Sequence, residues 1–304
     1  MRLVSFNVQN MRLRGSRLDG ARDRDLPEDL GPAAPLLDDY DRRLTARVLA
    51  EANADIIALQ EVFDQKTLDH FHDAFLLPTG TAPYPFRTCL PGNDGRGLDV
   101  ALLSRIAPRS VTSHAALTPA DLALRTPAGV NPRAPLFRRD CLEIAFDGLT
   151  LFICHFKAPY PDVAATWPIR NLEARAVRCL IEARFETPAS ANWLVLGDLN
   201  RPRAEDPDAL QPLTEGFGID LLNRLPRGSR WSYHNAHEGY TARPDALIAS
   251  PALAASNPET VPRLIRSGLG HEATAYKGDR LPTVGTHRPH ASDHAALVLD
   301  LDIS

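Results

Sequence analysis

The chain has 304 residues, a formal net charge of −4, and 44% hydrophobic and 24% charged residues. These are ordinary values for a folded globular chain with a large core. They exclude a whole-molecule basic field of the kind that gathers nucleic acid without a local site. Lys66, Lys157 and Lys277 are the lysines, so positive charge is almost entirely arginine. Guanidinium forks suit phosphate oxygens, although codon usage alone produces the same bias. Cys89, Cys141, Cys154 and Cys179 form no CxxC pair, which argues against a zinc ribbon, a redox motif or a disulfide framework and points to a reducing compartment. Neither a signal peptide nor an apolar run of ~18 residues is present, so the reading is a cytoplasmic protein with no membrane insertion. Nothing in the pattern bears on oligomeric state.

Residues 3–8 form the first apolar run, of strand length, and Asn7 lies inside it. A buried amide must be hydrogen-bonded, so Asn7 either ties a loop or orients a ligand. Residues 12–39 are polar and proline-bearing, a loop that reads as disordered in its middle or as a lid over a small pocket. The stretch 41–53 then places Leu44, Val48 and Leu49 on one helical face, and residues 56–59 read as a buried strand. Glu61 stands one residue past Gln60 at the mouth of that strand. It suits a hard-oxygen ligand for magnesium, or a solvated capping residue.

The sequence NDGRGLDVALLSR carries Arg96 and leads through Asp99 into a strand at 100–103. Residues 118–135, with four prolines, read as a loop and are followed by Arg138 and Arg139. Two apolar runs, 142–146 and 149–154, join at Asp147-Gly148, a type I′ hairpin signal. Cys141 and Cys154 read as buried thiols. His155 ends the second run, where a lone histidine is more often a satisfied core residue than a catalyst. Helical spacing over 169–185 aligns Leu172, Ala176, Cys179 and Leu180.

The strongest local signal is WLVLGDLNRP. A buried strand at 193–196 ends, Gly197 gives a tight bend, and Asp198 and Asn200 emerge on one side. Such a pair can bind a metal and a substrate oxygen, or form an Asx turn. Asp245 enters another buried strand, at 246–249, where a charge requires a partner and a histidine is a natural one. Residues 264–291 form a third long loop, rich in Gly, Pro and His. Asp293 and His294 precede the final strand at 295–301. Several runs are continuous rather than alternating, which implies strands covered on both faces. With no composition break, the expectation is one α/β domain over 1–304, two sheets packed face to face with helices outside.

The ordered set SFNVQN, LQE, GDLN and SDH resembles the endonuclease/exonuclease/phosphatase superfamily, which is deoxyribonuclease I-like, over nearly the whole chain. NDGRGLDVALLSR and HFKAP look most like bacterial members described as endonucleases or phosphatases. The resemblance implies a four-layer α/β sandwich with two mixed sheets, and a phosphoric ester hydrolase using Mg²⁺ or Mn²⁺. Carried over, Glu61 binds the metal with Asn7 close by, and Asp293 assists. Asp198 orients or deprotonates the attacking water, and Asn200 contacts the scissile phosphate. His294, paired with Asp245, stabilises phosphorane-like charge or handles a proton. His155 donates to a phosphate oxygen and is held by Asp99. The two carboxylates would keep both histidines charged.

The implied substrate is a phosphodiester, with a nuclease, endo- or exo-acting, as the first reading. Arg96 and Arg139 are candidates to meet a substrate phosphate. Arg138, Arg201, Arg203, Arg227 and Arg230 fall near the motifs, and Trp231 and Tyr233 stack bases or begin a packed strand. The alternative is a small-molecule phosphatase or phosphodiesterase acting on a phosphorylated sugar, inositol, nucleotide or lipid headgroup. A catalytically dead binding module would need broken motifs, and these are intact.

Overall fold

The computed structural model describes residues 1–22, 29, 31–32, 34–201 and 208–303. In chain order the strands are β1 (Arg2–Met11), β2 (Leu13–Arg14), β3 (Arg17–Leu18), β4 (Ile56–Val62), β5 (Phe86–Cys89), β6 (Asp99–Ser104), β7 (Ser110–Ser113), β8 (Cys141–Phe146), β9 (Leu149–His155), β10 (Trp193–Asp198), β11 (Ile219–Asp220), β12 (Tyr233–Asn235), β13 (Tyr240–Ala242), β14 (Asp245–Ala249), β15 (Arg263–Ile265) and β16 (Ala296–Asp300). The α-helices are α1 (Ala34–Ala52), α2 (Gln65–Phe71), α3 (Val163–Arg184), α4 (Gln211–Thr214) and α5 (Pro251–Ser256).

Two six-stranded sheets form, in the orders β15-β16-β1-β4-β6-β5 and β11-β14-β10-β9-β8-β7. Each is mixed: β1 runs parallel to β4, and β10 parallel to β9, among antiparallel neighbours. Period-two alternation divides the strand residues between layers. Leu3, Ile56, Ala58, Val100 and Leu102 of the first sheet meet Leu142, Ile144, Leu151, Ile153, Leu194 and Leu196 of the second. Their neighbours point outward: Val4, Phe6, Ile57 and Leu59 pack on Leu44, Val48 and Leu49 of α1. Phe152, Cys154, Val195 and Ile248 pack on Leu172, Ala176, Val177 and Leu180 of α3. Both faces of each sheet are therefore apolar, which is why the sequence shows continuous runs. The four-layer sandwich expected from the sequence is present. Cys141 and Cys154 are free, buried thiols.

The departures have local causes. The α3 helix begins at Val163, with the Asp162 side chain accepting from Ala165 N at 2.7 Å. The sequence pattern stopped short because Pro168 lies inside the helix. At the β8–β9 hairpin only Gly148 takes positive φ, 76°, and Asp147 does not. A type I′ turn needs both central residues left-handed, so the hairpin stands and its turn type differs. Residues 118–135 carry turns without strand or helix, as expected. The 12–39 segment holds the β2–β3 hairpin and the start of α1, while 23–28, 30 and 33 lie outside the described residues, and the lid reading with them.

Backbone irregularity gathers at one end of the sandwich. The β1–β4 register shifts between Asn7 and Met11, and the β4–β6 register shifts between Gln60 and Val62. Gln9, Asn10 and Glu61 occupy these bulges with φ of 51°, 56° and 68°, and Asn200 has φ 49°. A bulge re-aims the side chain that follows a strand's alternation. Gly197, φ 135°, lets β10 press on β9: a Cβ there would lie 1.9 Å from the carbonyl oxygen of Cys154. Gly197→Ala is therefore expected to lower stability by about 3 kcal/mol or more through backbone overpacking. Urea unfolding that leaves the midpoint unchanged would disprove that close approach.

Candidate active site

The strand ends at this pole bring together Asn7, Glu61, His155, Asp198, Asn200, Asp245, Asp293 and His294. Asp198 ends β10 and is buried. The amide nitrogen Nδ2 of Asn7 donates to Asp198 Oδ2 at 3.0 Å and to Glu61 Oε1 at 3.3 Å, joining a residue of one sheet to the end of the other. The backbone N–H of Asn200 donates to Asp198 Oδ1 at 2.9 Å, and Asn200 Nδ2 donates to the carbonyl oxygen of Phe156 at 3.0 Å. Two imidazoles approach Oδ2, the oxygen that also accepts from Asn7. His155 Nε2 is 3.5 Å and His294 Nε2 3.9 Å from Asp198 Oδ2.

Glu61 is only partly buried, and the Asn10 backbone N–H donates to its Oε2 at 2.8 Å. Asn7 Oδ1 accepts from Gln9 N at 3.0 Å. Asn7 thus spends its amide on orienting two carboxylates and a bulge. Asp293 hangs on the same bulge, its backbone N–H donating to Gln9 Oε1 at 3.1 Å. Ser292 pins the turn by donating to the Asn7 carbonyl at 2.7 Å and accepting from His294 N at 3.1 Å.

His294 Nδ1 donates to Asp245 Oδ2 at 2.8 Å, as the sequence led one to expect, and Ser232 Oγ donates to the same oxygen at 2.6 Å. Burial lowers the His294 pKa, and Asp245, Asp293 and Asp198 overcome it, so the net shift is well upward and the ring is an imidazolium at neutral pH. Burial pushes Asp198 up to about 6, with Asp245 adding to the rise and His294 opposing it. At neutral pH it is mainly a carboxylate.

His155 departs from the expectation. Its Nδ1 has no hydrogen-bond partner among the described residues, and Asp99 instead accepts from Gly92 N at 3.0 Å. Asp99 starts β6 in one sheet, whereas His155 ends β9 in the other. Burial, then the positive charges of Arg139, His294 and Arg96, hold His155 well below its ordinary pKa, so it is neutral. The arrangement contains one imidazolium rather than two.

The arginines divide. Arg96 and Arg139 converge on Asp94 Oδ2, at 3.0 and 3.1 Å, and Arg139 also donates to the Phe156 carbonyl at 2.9 Å. They flank the site, with Asp94 between them. Arg201 pairs with Asp220 and Asp208, and Arg230 with Leu225 O and Asn223, so both serve local structure. Arg203 lies outside the described residues. The Tyr233 ring is 5.3 Å from that of His294 and its strand bridges to it, whereas Trp231 packs beside Leu269, Ala273 and Ala295 under Arg266.

Ser232, Ser292, Gln9 and Asp94 were missed by sequence reasoning. Ser292 stood in the SDH triplet that was quoted for its other two members. Gln9 stood in SFNVQN. Ser232 and Asp94 carry no distinguishing local signal.

A family model described as the endonuclease/exonuclease/phosphatase family matches residues 4–294. The chain belongs to that family. A search of curated proteins finds no match. Solved structures share the fold at low identity. Truncated TDP2 from Caenorhabditis elegans is 16% identical with a TM-score of 0.56, covering 98% of this chain and 95% of that one. The 3′ phosphatase NExo from Neisseria, solved with a product DNA hairpin, is 19% identical with a TM-score of 0.55, covering 99% of each. An endonuclease/exonuclease/phosphatase from Beutenbergia cavernae is 15% identical with a TM-score of 0.60, covering 100% of this chain and 71% of that chain.

Burial raises Asp99 to about 6, helped by Asp94 and Asp140 and opposed by the Gly92 N–H. A carboxyl raised above its unfolded value contributes stability fully present below the unfolded pKa, about 4, and lost as pH rises through about 6. Asp99→Asn keeps an oxygen for Gly92 and removes that loss. The variant's stability relative to wild type should therefore grow between about pH 4 and 7. A flat difference in urea midpoints across that range would refute the raised carboxyl.

Proposed function

We propose that the chain is a divalent-metal-dependent phosphodiester hydrolase acting on nucleic acid, with Asp198, His294, Asn200 and His155 as catalytic residues and Glu61 and Asp293 as metal-binding residues. The observation that carries the reading is the setting of Asp198. One buried carboxylate is oriented by Asn7 and Asn200, faces two imidazoles, and is linked through Asn7 to the partly exposed Glu61. The family and the DNA-bound relative of the same fold support nucleic acid as the substrate class.

In this reading Asp198 accepts a proton from the attacking water. Its ionised state at neutral pH suits that role, and both Nε2 atoms lie close enough to its Oδ2 to share one reacting group with it. His294 is held charged and in one ring orientation by Asp245, so Nε2–H points at developing negative charge without reorganisation. His155, neutral and buried, offers a hydrogen bond rather than a charge. Asn200 has one N–H on the Phe156 carbonyl and a second N–H for a phosphate oxygen. Asp245 and Asn7 are positioning residues. Arg96 places positive charge at the rim and the buried Arg139 places it beneath, both moderated by Asp94.

The donors fit a hard cation. Glu61 and Asp293 are both partly exposed carboxylates, the first held by the Asn10 N–H and the second carried on a backbone whose N–H donates to Gln9 Oε1, and no thiol joins them. Oxygen donors of this kind favour Mg²⁺ or Mn²⁺. When bound, such an ion supplies positive charge to the phosphoryl oxygens and acidifies water.

Asp198→Ala and His294→Ala are each expected to lower turnover by at least ~10², as for loss of a general acid or base. EDTA should abolish activity and Mg²⁺ or Mn²⁺ restore it. Plasmid and single-stranded oligonucleotide would be assayed beside bis-p-nitrophenyl and p-nitrophenyl phosphate. Near-wild-type rates in either variant sink the residue assignment. Activity confined to the small esters would replace the nucleic-acid substrate with a small phosphoester.

A further inference from the structure

A second cluster lies in the long irregular segment between β15 and β16. Glu272, His287 and His290 present ligand atoms all within 4.8 Å of one another. None of the three belongs to the constellation around Asp198. His290 is buried, and its Nε2 faces two acceptors at 3.0 Å, Gln9 Oε1 and the carbonyl oxygen of Ala21. Nε2 must therefore carry the hydrogen, which leaves a lone pair on Nδ1. No hydrogen bond to that Nδ1 occurs among the described residues. His287 has Nε2 2.9 Å from Asp29 Oδ2 and Nδ1 2.8 Å from Glu272 Oε1.

The pattern matches what a metal-binding histidine needs: one ring nitrogen free to ligate and the other fixed by an oxygen acceptor. His287 has Asp29 as that acceptor, and His290 has Gln9 and Ala21. We propose that Glu272, His287 Nδ1 and His290 Nδ1 form a binding site for a borderline-soft divalent ion, zinc in class, with a fourth position open to water. Two imidazoles and one carboxylate are a zinc donor set, and they differ from the all-oxygen set around Glu61. Binding replaces the proton shared between His287 and Glu272, releasing it to solvent, and requires only that the donors draw in to ~2.0–2.2 Å from the ion. Entry is open, because the side chains of His287 and Glu272 are 22% and 31% exposed.

The ion would be a staple rather than a reagent. Arg288, next in the chain to His287, is tied to Asp38 and Asp41 of α1, and His290 N donates to Asp41 Oδ1 at 3.0 Å. Through Gln9, which also accepts from Asp293 N, the site touches the bulge that carries the SDH turn. Holding His287 and His290 fixes the segment leading into that turn.

The test is zinc binding by the full chain after EDTA treatment and dialysis, measured by isothermal titration and by the visible spectrum of added Co²⁺. Wild type and Glu61→Gln should both bind one Zn²⁺ that Glu272→Gln and His290→Ala bind at least tenfold more weakly. Co²⁺ should give the intense bands of a low-coordinate site in the first pair only. The partly exposed Glu272 makes Glu272→Gln the variant least prone to misfolding, and circular dichroism verifies its fold. Equal affinity in wild type and Glu272→Gln, or loss of all zinc binding in Glu61→Gln, overturns the proposal. His287 would then be an imidazolium between two carboxylates.

Discussion

The Asp198 carboxylate is buried where the open ends of two sheets meet, and much of the pole is arranged around it. An isolated buried carboxylate is costly by several kcal/mol, and only partners with good geometry offset that. The partners come from both layers: Asn7 from β1, the Asn200 N–H beyond β10, and the charged ring of His294 beside β16. His294 in turn requires Asp245 at the head of β14. A change in how one sheet sits on the other at this end would leave a charge without its counterpart. The apolar layer between the sheets tolerates small slips better than this set does, because dispersion contacts are many and individually weak.

The same pole concentrates backbone strain. Gln9, Asn10, Glu61 and Asn200 take left-handed conformations that cost about 1–3 kcal/mol each for residues with a Cβ. They persist because other groups over-determine them. Arg42 of α1 is fully buried and donates to the carbonyl oxygens of Val8 at 2.5 Å, Gln9 at 2.7 Å and Asp19 at 2.7 Å. Burial lowers its pKa to about 10, which leaves it charged at neutral pH. Its neighbour Asp41 receives Ala21 N, His290 N and the Arg288 guanidinium. One helix therefore grips, from behind, both the β1 bulge and the segment before the SDH turn. The β1 end can bulge there because its carbonyls are already satisfied, those of Val8 and Gln9 by Arg42 and that of Asn7 by Ser292.

The strands and the main polar residues were legible because their signals are local. A continuous apolar run followed by a polar residue fixes both a buried strand and its mouth, as at GDLN and LQE. The Asp245–His294 pair was legible for another reason: a carboxylate entering a buried strand must find a cation. Cross-sheet distance leaves no such trace. Asp99 and His155 each sit at a strand end, but Asp99 accepts from the Gly92 N–H and His155 Nδ1 has no partner among the described residues. The charge of His155 was illegible for a related reason, since it is set by burial and by Arg139 and Arg96 rather than by its neighbours in sequence. The short strands β2, β3, β12 and β13 escaped because two or three residues cannot display a period.

The distribution of cations bears on how the proposed reaction would be driven. Asp94 already engages Arg96 and Arg139, and Asp220 engages Arg201 and Arg243. Side chains tied in this way add little to a long-range field, in keeping with a net charge of −4. Positive charge free of a strong one-to-one partner then matters most at the reacting group itself. There the His294 imidazolium is shared among Asp245, Asp198 and Asp293. Negative charge developing on a phosphoryl group beside Nε2 would add to an electrostatic balance that is already net acidic. A divalent cation held by Glu61 and Asp293 would correct that imbalance, which is the physical reason the proposed mechanism calls for one. In such a site the protein contributes orientation and a fixed proton path, and the cation contributes the larger part of the charge.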